Sequence, residues 1–71
     1  MTDFKLLQEA IDRSGMSITT IANRTGIIRA TFYNRMAGNG EFKASEIVSL
    51  TKCLNLTREE RDKIFLNEKL N

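Results

Sequence analysis

The sequence contains no histidine, no proline and no tryptophan, and only one cysteine, Cys53. Each absence excludes something. A single thiol cannot close an intrachain disulfide, and without imidazole there is no Cys/His zinc site, so no metal and no cofactor are expected. No histidine, one unactivated thiol and no carboxylate pair placed for a cleft argue against an enzyme. The four glycines and the missing proline exclude collagen-like and low-complexity chains. No apolar run approaches the length of a membrane span. Met1 to Lys5 lacks the basic segment and apolar run of a secretory signal, so a cytoplasmic location without membrane partners is expected. A lone thiol suits that reducing compartment; Cys53 reads as a small half-buried residue beside Leu50 and Leu54.

What is present is a globular composition: 71 residues, 41% hydrophobic, enough for one domain near the lower limit of a self-sufficient core. Without disulfide or metal, such a chain depends on helix packing, aided by dimerisation. The net charge is +2 and the isoelectric point about 9.0, compatible with a nucleic-acid partner without requiring one. No repeat, linker or charge block divides residues 1–71.

Hydrophobic spacing predicts five helices. The first covers about Asp3 to Ser14, with Phe4, Leu7 and Ile11 on one stripe widened by Leu6 and Ala10. Thr2 or Asp3 caps its start, and Gly15 suits a left-handed end. The second runs from Ile18 to Thr25, capped by Ser17, with Ile21 and Ala22 inward and Gly26 ending it. The third runs from Arg29 to Ala37 and closes at Gly38, with Ile28, Phe32 and Met36 inward and Arg29, Ala30, Tyr33, Asn34 and Ala37 outward. Gly38-Asn39-Gly40-Glu41 forms a loop; its flanks carry helical periodicity, so a hairpin is not expected. The fourth covers Ala44 to Leu54, with Ile47, Val48, Leu50, Thr51 and Leu54 inward. Thr57-Arg58-Glu59-Glu60 is a capping box opening the fifth, whose apolar face holds Ile64, Phe65 and Leu66. Glu59 and Lys63 stand one helical turn apart as an ion pair. The tail from Glu68 to Asn71 is expected to fray.

Residues 18–37 have the pattern of a helix-turn-helix. Two helices crossing steeply through a short turn need a small residue at the crossing, which Ala22 supplies. The turn needs a residue tolerant of positive φ, and Gly26 stands four positions later. Ile21, Ile27 and Phe32 are placed to fix the angle from both sides.

On those residues the sequence resembles the phage repressor family of helix-turn-helix proteins, the Cro and CI type. The stretch MSITTIANRTGIIRATFYNRMAG looks like its two DNA-contacting helices, and SEIVSLTKCLNLT is similar to its fourth helix. The TFYNRMAG…EF run narrows the similarity toward small Cro-like proteins of Gram-positive phages. The resemblance spans roughly Leu6 to Phe65. It implies an all-α, compact five-helix, lambda-repressor-like domain that inserts its third helix into the major groove of double-stranded operator DNA as a transcriptional repressor. By position it implies base contacts from Arg29, Ala30, Tyr33 and Asn34. Arginine can pair with guanine, asparagine with adenine, and alanine can pack on a thymine methyl. Ser17, Thr19, Thr20, Asn23, Arg24, Arg35 and Lys43 become phosphate contacts that position without reading.

Two departures stand out. Arg35 occupies a usually apolar position, which would turn the inner edge of the third helix toward Met36. Ile18 replaces a common phosphate-clamping glutamine, leaving that clamp to backbone amides, Thr19 or Thr20.

Plainer readings compete. An exposed helix bearing Arg, Tyr and Asn can be solvated surface, and Arg58 to Lys63 reads as a charged solvated face. Phe4, Phe32, Met36 and Phe65 are core rather than a ligand box. Gly38-Asn39-Gly40 lacks the strand and Lys-Ser/Thr of a phosphate loop. The alternative function is a protein-interaction module, antitoxin-like or anti-repressor, on the same scaffold. A homodimer on a two-fold site is expected, joined through Phe65, Leu66 and Leu70, and no small-molecule ligand.

Overall fold

In the computed structural model, which describes residues 2–66, local end signals set the helix boundaries. The helices are α1 (Phe4–Ser14), α2 (Ile18–Thr25), α3 (Arg29–Met36), α4 (Ala44–Cys53) and α5 (Arg58–Phe65); among the described residues there is no strand. Three starts carry a side-chain cap. Asp3 Oδ1 accepts from the Leu6 amide at 3.1 Å, Ser17 Oγ from the Thr20 amide at 3.1 Å, and Thr57 Oγ1 from the Glu60 amide at 3.0 Å. The Glu60 carboxylate accepts in return from the Thr57 amide at 2.9 Å, completing the expected capping box and satisfying two otherwise orphaned amides. Gly15 and Gly26 end α1 and α2 in the left-handed region. No helix among the described residues is long and apolar enough to cross a membrane.

The result is a compact five-helix globule. The α2 helix packs on α3 and α4, while α5 closes against α1 and α4. The four largest fully buried side chains are Leu7, Ile21, Phe32 and Leu50, one each from α1, α2, α3 and α4. Burying each contributes about 1.5–3 kcal/mol. Two connections add what helical periodicity could not reveal. Phe42, in the α3–α4 link, stands edge-on to Phe32 at 6.0 Å and to Phe65 at 5.5 Å. Leu56, between α4 and α5, is also buried. Cys53 is half-buried and packs against the core.

Several expected placements are corrected. Ile28 is not on the inner face of α3; it precedes the helix as its N-cap and is 71% exposed, because the extended backbone there breaks the stripe that runs on through Phe32. Val48 points outward, 53% exposed, as the flank of a stripe centred on Ile47, Leu50 and Leu54. Phe65 is buried core and Leu66 is exposed, so the expected dimer patch loses its main aromatic; Leu70 and the Glu68 to Asn71 tail lie outside the described residues. The Glu59–Lys63 pair does not form among the described residues. Glu60 meets Arg13 at 3.1 Å and Arg61 meets Asp62 at 2.8 Å instead.

Candidate nucleic-acid interface

The α2–turn–α3 unit is fixed by a short set of backbone and hydroxyl bonds. The Gly26 amide donates to the Ala22 carbonyl at 2.9 Å with Gly26 at φ +76°. Thr25 Oγ1 donates to the Ile21 carbonyl at 2.8 Å and accepts from the Ile27 amide at 3.4 Å. One hydroxyl thereby ties the last turn of α2 to the chain leaving it. Ile27 then enters the core and the Phe32 amide donates to the Ile28 carbonyl at 2.9 Å, starting α3.

On this frame Arg29, Ala30, Tyr33 and Asn34 are all exposed. Their spacing, i, i+1, i+4 and i+5, makes one continuous outer face of a helix whose inner face is Phe32. The guanidinium of Arg29 donates to Thr19 Oγ1 at 3.2 Å, so a side chain of α2 holds the first residue of α3 across the helix pair. Ser17, Thr19, Asn23 and Arg24 are exposed on α2 and its cap, and Thr20 is half-exposed. Ser17 Oγ also lies 3.1 Å from Thr20 Oγ1. Lys43 is exposed beyond the α3–α4 loop. Among the described residues neither Arg24 nor Lys43 enters an ion pair.

Arg35 differs from these. Its guanidinium meets the Glu46 carboxylate twice, at 3.2 and 3.4 Å, with side chains only 16% and 14% exposed. Arg35 is thus accounted for by a partner eleven residues away. The structure commits it to joining α3 and α4, leaving it poorly placed as a phosphate clamp. Burial alone would raise the Glu46 carboxyl. The Lys43 amide, the Arg35 hydrogen bonds and the nearby positive charges outweigh it and hold the group below the usual value of 4.5.

Beside this pair lies an open cleft of about 460 Å³ between the start of α3 and α4, lined by Thr25, Thr31, Ser45 and Ser49 together with Ile28 and Lys43. The α3 start that borders it has no side-chain acceptor, since Ile28 caps it, whereas at the start of α4 the Glu46 carboxylate accepts from the Lys43 amide at 2.9 Å.

One charge signal in the sequence went unused in the helix reading. From Arg13 to Gly40 there are four arginines and no acidic residue. This window contains all of α2, the turn and α3, so both helices present a surface free of their own negative charge. The other signal is the exposed Ile28, which sequence spacing had assigned to the core. Family models, curated proteins and solved structures give no match to the chain.

Proposed function

We propose that the chain is a sequence-specific double-stranded DNA-binding domain of the lambda-repressor-like helix-turn-helix type, inserting α3 into the major groove and acting as a transcriptional repressor. The observation that carries this reading is the exposed face of α3. It combines Arg29, Ala30, Tyr33 and Asn34 on a helix set behind a left-handed Gly26 turn, within a stretch devoid of acidic residues. A phosphate-lined groove favours such a surface electrostatically, and the side chains match base-edge chemistry. Arg29 pairs with guanine, Asn34 with adenine, and Ala30 packs against a methyl with Tyr33 alongside. Arg24 and Lys43 anchor the backbone, assisted by the hydroxyls of Ser17, Thr19 and Thr20, by Asn23, and by amides at the start of α3 that no side chain caps. Arg35 contributes by fixing α3 on α4.

Selection of bound duplexes from a random pool tests this. A recovered consensus, with binding that weakens steeply as salt rises, is expected. An unenriched pool, or binding indifferent to salt, removes the DNA reading and leaves the interaction-module alternative.

A further inference from the structure

Ile28 is the most exposed of the large hydrophobic residues in the described chain, at 71%. It supports neither the core nor the helix it begins: isoleucine has no acceptor to cap α3, whereas Asp3, Ser17 and Thr57 cap their helices with side-chain oxygens. Water gains nothing from an aliphatic group at this position, and Ser, Thr, Asn or Asp would serve the helix better.

What surrounds Ile28 restricts what can cover it. Arg29 follows directly, and Lys43 lines the same cleft. The one carboxylate there, Glu46, is bound to Arg35. No acidic residue occurs between Arg13 and Gly40. The complementary surface is therefore polyanionic yet must offer an apolar spot where Ile28 meets it. Among base edges in the major groove, the C5-methyl of thymine is such a group.

We infer that Ile28 is a specificity-determining residue that packs its side chain on a thymine methyl at the edge of the α3 footprint. The inference rests on the proposed DNA reading and adds to it a contact made from the turn, beyond the outer face of the helix.

The test uses the full chain and the duplex enriched from a random pool, with each thymine replaced in turn by deoxyuridine, which removes only the methyl. Wild type and Ile28→Ala are compared by filter binding. Alanine is as poor a cap as isoleucine and the site is exposed, so the variant is expected to melt like wild type; circular dichroism checks this. At one thymine position uracil should weaken wild type about fourfold, the value of one methyl at ~0.8 kcal/mol, while Ile28→Ala should bind the two duplexes equally. If every uracil penalty persists unchanged in Ile28→Ala, or if the variant loses affinity for thymine and uracil duplexes alike, Ile28 does not read a methyl. Wild-type binding with no methyl penalty anywhere overturns this inference and the Ala30 contact, while leaving DNA binding itself standing. Failure to bind any duplex overturns the DNA reading and the inference together.

Discussion

Gly26 fixes the angle at which α3 leaves α2, and its constraint is conformational. A Cβ there would find nothing within 4 Å, yet φ is +76°. Gly26→Val forces a β-branched residue into the left-handed region at a cost of about 1–3 kcal/mol. Each kcal/mol lowers the melting temperature of a domain this size by roughly 4–8 °C. Gly26→Asn should keep most of the stability, since asparagine visits this region and the space is open. Thermal melts of the two variants check the distinction; equal losses would mean that space, not backbone, is the constraint. Gly40 differs, because at φ +95° an added Cβ would also approach the Arg35 guanidinium to 2.9 Å. At this scale the sequence was legible where a residue type has one physical use, as for Ser17, Thr57 and Gly26. Arg35 was not legible, since its partner is set by how α3 and α4 pack.

Between elements, the Arg35–Glu46 bond is the most informative contact. Glu46 accepts from Arg35 and, at 2.9 Å, from the Lys43 amide, so one carboxylate both starts α4 and holds α3. Removing its charge in Glu46→Gln should cost about 1.5–3 kcal/mol at neutral pH, the range for hydrogen bonds to charged groups. The folded-state pKa lies below the usual 4.5, so this stabilisation is fully present above about pH 5 and is lost as pH falls through the depressed value. Denaturant melts should show the gap between wild type and Glu46→Gln closing in acid; a gap constant down to pH 3 would contradict the role assigned to the ion pair. Helix positions were readable from periodicity because α-helical stripes repeat in sequence. Phe42 and Leu56 escaped that reading because links have no period, and Ile28 was misplaced because the stripe was extended one residue past the start of α3. Val48 shows the same error sideways, at the edge of a stripe where one residue decides burial.

For the whole molecule, the distribution of charge matters more than its total of +2. With Arg35 bound to Glu46, the proposed DNA face retains three cations, Arg24, Arg29 and Lys43. With Arg29 assigned to a base, counterion release at the two backbone anchors, Arg24 and Lys43, gives a log–log salt slope of about −2 for one protomer and about −4 for two copies on a two-fold site. Titrating affinity against salt tests both the face and the stoichiometry. A slope much steeper than about −4 would require further groups neutralising phosphates, and a slope near zero would remove the face. The globule and its five helices could be read from the sequence because every level, from caps to stripes, agrees. Which exposed residues work together could not, since that depends on pairings such as Arg35–Glu46 and Arg29–Thr19 made across helices.

Whether α3 reads bases, as proposed, or merely rests on DNA shows in the form of the loss in single variants. Affinities of wild type, Arg29→Ala, Asn34→Ala and Arg24→Ala should be measured on the preferred duplex and on duplexes changed at one base pair. Arg29→Ala should weaken the preferred site by about 1–3 kcal/mol and abolish preference at a single G·C pair; Asn34→Ala should do so at a separate A·T pair. Arg24→Ala should weaken all duplexes alike and reduce the salt slope by about one. If the Arg29 and Asn34 variants lose affinity yet keep the wild-type order of preference at every position, α3 is not the reading helix.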